Sequence, residues 1–170
     1  MYTARFARVL LRGVISRKQN MPTLDPQKIR PPHYLLACLI MATLLQLYFK
    51  PARIIGPFWL GVILFAAGIV IVRSALNLFG KHQTPVRHSE QPAALVTGGL
   101  YRFTRNPMYV GMELLMLGLG FMAGTWAYLA IPVVMFLILQ IIFIPWEEKR
   151  MEELFKEEYI KYRQKVRRWL

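Results

Sequence analysis

Hydrophobic and polar positions divide the chain into four apolar runs separated by basic or proline-containing segments. The first, 33–49, is short for a bilayer crossing but sufficient if its flanking residues snorkel, and Lys50-Pro51 ends it. The second, 54–79, is long enough to cross outright and carries Arg73 near its end, with Asn77 one turn on. The third, 107–124, carries Glu113; the fourth, 126–146, follows so closely that the two must form an antiparallel helical hairpin. From Glu147 onward the pattern changes: Met151, Leu154, Phe155, Tyr159, Tyr162 and Val166 recur at helical spacing among Lys, Arg and Glu. This predicts an all-α integral membrane protein of four transmembrane helices, with an amphipathic C-terminal helix over 147–168 folded back on the membrane face.

Composition strengthens the membrane reading, since 55% of the residues are hydrophobic. The formal charge of +13 raises nucleic acid as a partner, but the Lys and Arg residues lie almost wholly outside the apolar runs and at their ends, which argues for topology instead. Residues 1–33, the loop before Asn106 and the C-terminal tail hold 19 of the 22, so the positive-inside rule puts both termini and that loop on the cytoplasmic side. Arg5, Arg8 and Arg12 oppose Phe6, Val9, Leu10 and Val14, forming a basic amphipathic segment without the features of a cleaved signal peptide. It ends in a linker marked by Pro22, Pro26, Pro31 and Pro32, so the expected domain organisation is this segment over 1–33 and a membrane domain over 34–170. The single Cys38 excludes an intrachain disulfide, and His33, His82 and His88 are too scattered for a metal site, so no metal is expected.

Candidate chemistry concentrates in Leu-Val-Thr-Gly-Gly-Leu-Tyr-Arg-Phe-Thr-Arg-Asn-Pro-Met-Tyr-Val-Gly, residues 95–111. Asn106-Pro107 immediately before an apolar run is a helix start, with Asn as the N-cap and Pro at the first helical position. Free N–H groups, the positive helix end, Arg102 and Arg105 then converge at the membrane surface, where an anion would bind. The plainer alternative makes the arginines topological anchors, Tyr101 and Tyr109 interfacial aromatics, and Gly111, Gly118 and Gly120 sites of close helix packing.

The same run, followed about forty positions later by Glu147-Glu148 and by a tail containing Tyr159, Tyr162 and Arg167-Arg168-Trp169, resembles the small membrane methyltransferases. These include isoprenylcysteine carboxyl methyltransferase and phosphatidylethanolamine N-methyltransferase. The resemblance covers roughly residues 80–170 and implies a methyltransferase that uses S-adenosylmethionine on a lipophilic acceptor presented from the bilayer. It implies cofactor contacts at Leu95, Val96, Tyr101, Asn106, Pro107, Tyr109 and Glu147. Arg105 at the helix start suits the donor's carboxylate, and Glu147 or Glu148 suits its amino group and ribose hydroxyls. Asn106 replaces the His of the isoprenylcysteine enzymes and matches the Asn-Pro-Met-Tyr of the phospholipid enzymes. Phe155-Lys156 stands where Phe-Gly is usual, and Phe143 stands where the isoprenylcysteine enzymes carry the Arg for the substrate carboxylate. The named acceptors are therefore a phospholipid headgroup or a prenylcysteine, and the opposing class is a non-catalytic four-helix membrane protein.

Glu113 lies outside these motifs, and physics alone singles it out. Asn106, Tyr109, Glu113, Met116 and Gly120 recur at steps of three and four, so they share one helix face. A carboxyl inside a span is costly and seeks a partner. Two readings stand: an Arg73–Glu113 pair joining the second and third spans, or a catalytic Glu113 facing the acceptor, orienting a cationic amine or taking its proton.

Overall fold

The structure is a computed structural model describing residues 31–49, 56–84 and 92–170. Residues 1–30 of the basic segment expected over 1–33, the start of the second span at Ile54 and Ile55, and the loop around His88 lie outside the described residues. The helices are α1 (Pro31–Phe49), α2 (Phe58–Lys81), α3 (Pro107–Ala123), α4 (Trp126–Ile138) and α5 (Ile144–Lys165). A 3-10 turn, Gly99–Arg102, precedes α3, and there is no strand among the described residues. Helix α2, and the helical stretch Trp126–Lys165 containing α4 and α5, are long and apolar enough to cross a membrane; α1 and α3 are shorter apolar helices.

Close approach of backbone to backbone joins α2 to α3. A methyl group added at Gly68 would lie 2.7 Å from the Gly111 carbonyl oxygen, and one at Gly118 would lie 2.7 Å from the Gly61 carbonyl oxygen. Small residues at these positions let two helices approach without the hydrophobic effect that drives packing in water. Helix α3 turns into α4 at Gly124, which holds a left-handed φ of 64° and donates its N–H to the Gly120 carbonyl. Helix α1 packs not on its sequence neighbour but on α4, where Thr43 bonds Tyr128 at 2.9 Å, Thr125 donates to Gln46 at 3.2 Å, and Tyr34 meets Phe143 edge to face.

The antiparallel order brings the C-terminal ends of α1 and α3 and the N-terminal ends of α2 and α4 to one side of the bundle. Tyr48, Phe49, Phe58, Trp59 and Trp126 are exposed there, as an aromatic belt requires. Between the two ends, Leu36, Ile40, Leu44, Ile63, Val70, Val133 and Leu137 also face outward. Apolar exposure on this scale fits hydrocarbon as the solvent.

Several boundaries differ from the sequence-based expectation. Helix α1 begins at Pro31, within the expected linker, and α2 begins at Phe58, after Pro57 and not at 54. The fourth run neither ends nor folds back at Trp146: Leu139–Phe143 form a π-helical segment, and the helix continues through Glu147 and Glu148. The reversal comes at Lys156, whose φ of 47° and ψ of −121° interrupt the helix, and the helix ends at Lys165 instead of 168. A charged, exposed turn of helix costs little to extend beyond the apolar run, so hydropathy misplaces the bend.

Candidate functional site

The segment before α3 is held by the tail that follows α5. Arg105 N–H donates to the Arg167 carbonyl at 2.9 Å, Thr104 and Arg167 form an isolated parallel bridge, and Thr104 Oγ1 donates to the Arg168 carbonyl at 3.1 Å. Asn106 occupies the N-cap position, and its carbonyl accepts the N–H of Val110 at 3.0 Å. Its side chain does not cap the helix: Nδ2 donates to the Arg168 carbonyl at 2.9 Å. The expected side-chain cap is thus replaced by a tether to the tail, because the tail offers a carbonyl within reach while Pro107 already supplies a first helical residue with no N–H to satisfy.

Beneath this tether lies a charged triad. Arg105 Nη2 is 2.6 Å from Glu148 Oε1; Arg168 places Nη2 2.6 Å from Oε2 and Nε 3.1 Å from Oε1 of the same carboxylate. Arg105 Nη1 donates to the Arg163 carbonyl at 3.0 Å, but its Nε is buried without a partner. Two arginines on one buried carboxylate leave a local surplus of positive charge, and an unsatisfied buried N–H is costly unless something else accepts from it.

Glu147, the neighbour of Glu148 on α5, accepts a hydrogen bond from the Tyr109 hydroxyl. Tyr101 belongs to this grouping as well. Burial first, and then the phenol of Tyr162 and the carboxylate of Glu147, push the Tyr101 phenol far above its ordinary range. Its ring packs edge to face on Phe79, its carbonyl accepts the Tyr162 hydroxyl at 2.7 Å, and Val96, Tyr159 and Ala75 complete a buried cluster that Leu95 and Met108 flank. Burial also raises Tyr159 to about 12, with Glu148 pushing up and Arg105, Arg163 and Arg168 pulling down.

Leu95, Val96, Tyr101, Arg105, Asn106, Pro107, Tyr109, Glu147 and Glu148 therefore meet at the basic end of the bundle. Glu113 does not. It points into a cavity between α3 and α4, and one of its carboxylate oxygens is buried without a partner. The Arg73–Glu113 pair is not formed, for a geometric reason. Helix α3 meets α2 through Gly111, Leu115 and Gly118, and Glu113, two residues beyond Gly111, is rotated about 200° away from that seam. Sequence reasoning assigned no role to Thr104 or Arg168. The signal for Arg168 is the run Arg167-Arg168-Trp169, but only the fold reveals that its carbonyls serve too.

No curated protein matches the sequence significantly. Residues 57–158, from the start of α2 to just past the bend at Lys156, match the phospholipid methyltransferase family. A match over more than half of the chain, spanning both the Asn-Pro helix start and the Glu-Glu pair that the fold brings together, makes this protein a member of the phospholipid methyltransferase family.

Proposed function

We propose that the chain transfers a methyl group from S-adenosylmethionine to a phospholipid-type acceptor, at the basic end of a four-span bundle whose two termini and donor site face the cytoplasm. The observation that carries the reading is the buried, partnerless Nε of Arg105 beside the start of α3, where no side chain caps the helix. A carboxylate such as that of the donor's methionine end suits this orphan donor and the positive helix end together. Glu147, joined to the Tyr109 hydroxyl, is an acceptor for an ammonium or a ribose hydroxyl. Leu95, Val96 and Tyr101 form the apolar wall beside it.

S-adenosylmethionine, when bound, supplies an already activated sulfonium methyl. The protein's task is then to orient and to exclude water, from which much of the acceleration of a bimolecular transfer derives. Glu148 and the Arg163 carbonyl each fix one arm of Arg105 so that the third is aimed, Asn106 and Pro107 set the helix start, and the tail from Val166 is tethered over that start. Charge supports the orientation: the basic end carries Lys81, Arg102, Arg105 and the tail cations, and the opposite end carries the aromatic belt.

Phospholipid is favoured over prenylcysteine by Phe143. The position that would supply a guanidinium to a prenylcysteine carboxylate is here a phenyl ring, 1% exposed among Leu139, Ile144 and Tyr34. Incubation of the purified protein with methyl-labelled S-adenosylmethionine and either phosphatidylethanolamine or a prenylated cysteine tests the proposal. Label is expected in the phospholipid; folded protein that labels neither would contradict it.

A further inference from the structure

Glu113 is one turn below Tyr109 on α3 and lines a cavity of about 360 Å³. Val110, Leu114 and Leu117 of α3, Pro132 and Phe136 of α4, and Trp169 and Leu170 of the tail form its remaining walls. Glu113 is the single charged side chain among them, and its Oε1 is buried with no hydrogen-bond partner. A carboxylate inside an apolar layer is expensive and persists where a cation or a proton-bearing ligand meets it. Among the described residues no protein group fills that role, since Arg73 of the neighbouring span lies beyond the glycine seam on the far side of α3. Aliphatic and aromatic walls around one carboxylate suit a lipid whose headgroup ends in a cation, and they disfavour a headgroup that carries only negative charge.

The tail links this cavity to the donor site. Trp169 donates its indole N–H to Gln140 in the π-helical segment at 2.8 Å and lies 4.9 Å from the Phe136 ring, while the adjacent Arg168 holds Glu148. One short segment thus covers both places. Residues four apart on a helix are surface neighbours, so a cation on Glu113 would sit on the face of α3 that also carries Tyr109.

We propose that the cavity between α3 and α4 is the acceptor's binding site and receives a phospholipid by its ammonium group, with Glu113 as the counterion. The inference rests on the methyltransferase reading and adds the place and the recognising residue. Glu113 here binds and orients the ammonium and takes the proton that the nitrogen must lose before its lone pair can accept the methyl group.

The test uses the full chain in nonionic detergent, titrated separately with lysophosphatidylethanolamine, lysophosphatidylglycerol and S-adenosylhomocysteine. Saturable binding of the ethanolamine lipid, well above that of the glycerol lipid, is expected. Glu113→Gln should weaken ethanolamine-lipid binding about tenfold or more, as loss of a charge-assisted contact implies, and leave S-adenosylhomocysteine affinity unchanged. Leu117→Trp, which fills the cavity one turn from Glu113 and keeps the carboxylate, should have the same pattern and decides the matter if Glu113→Gln fails to fold. Equal binding of the two lipids, or full ethanolamine-lipid affinity in either folded variant, would overturn the proposal. Failure of S-adenosylhomocysteine to bind folded wild-type protein would instead contradict the donor site, so the two claims fail separately.

Discussion

Arg168 forks onto Glu148, with Nη2 2.6 Å from Oε2 and Nε 3.1 Å from Oε1, and Arg105 approaches the same carboxylate from the start of α3 at 2.6 Å. One side chain of α5 thereby joins the motif segment to the tail. The arms are unequal: Arg105 is 10% exposed and Arg168 32%. Removing the shared carboxylate strands a buried cation, whereas removing the outer arginine leaves the inner pair intact. Glu148→Gln should therefore lower stability by about 3–5 kcal/mol, the cost of breaking a buried pair from one side, and Arg168→Ala by clearly less. Denaturation of both variants in detergent checks the order; equal losses would mean that the triad is not organised around Glu148.

Lys156 holds φ 47° and ψ −121°, a conformation that L side chains rarely adopt and that only glycine takes without strain. Glycine is also the residue usual at this place in the enzymes that the motif resembles. Lys156→Gly should raise stability by about 1 kcal/mol, against the ordinary loss of about 1 kcal/mol for Lys161→Gly within regular helix. A lower melting temperature in Lys156→Gly would show that the bend is not strained.

The seam between α2 and α3 leaves no room for a Cβ at Gly68 or Gly118, where the obstructing atoms are backbone at 2.7 Å. Gly68→Ala and Gly118→Ala should each cost about 1–3 kcal/mol through enforced helix displacement. Gly80 has open space around it, so Gly80→Ala should be neutral or stabilising. Thermal unfolding of the three variants gives the comparison, and a Gly68→Ala protein as stable as wild type would exclude the close approach.

Alkaline pH acts on the tyrosine cluster. Burial is the first cause of the raised values of Tyr101, Tyr159 and Tyr162, and Tyr159 moves from 10.0 to about 12. The folded state favours the neutral phenols, so their contribution is fully present below pH 10 and is lost as pH rises through the folded value. Stability should fall between pH 10 and about 12 in step with phenolate absorbance. Tyrosines that ionise near pH 10 in folded protein would mean that the cluster is solvated.

Much of this arrangement was legible in the chain, because hydropathy period and helix-start chemistry are local. The apolar runs, the α3–α4 hairpin and the helix start at Pro107 follow from such signals. Asn106 and Lys156 show where local reasoning stops. A side-chain cap is the best use of Asn106 within its own segment, but a carbonyl 62 positions away competes for the amide and wins. The bend at Lys156 opposes the residue's intrinsic preference and is imposed by what lies on either side, the Glu148 triad and the Tyr101–Tyr162 bond. Glu113 was marked by cost alone. Its direction depended on which face of α3 meets α2, and the spacing of Gly61 and Gly68 against Gly111 and Gly118 becomes readable only once the two helices are known to touch.

The donor site is tested most directly by calorimetric titration of S-adenosylhomocysteine into wild-type protein and Glu147→Gln. Glu147 accepts from Tyr109 and flanks Tyr101. Wild type should bind at one site per chain, and the variant, folded and expressed as wild type, should bind more weakly by about 1.5–3 kcal/mol, the worth of a hydrogen bond to a charged group. Absence of binding to folded wild-type protein, or equal affinity in Glu147→Gln, would contradict the placement of the donor between α3 and α5.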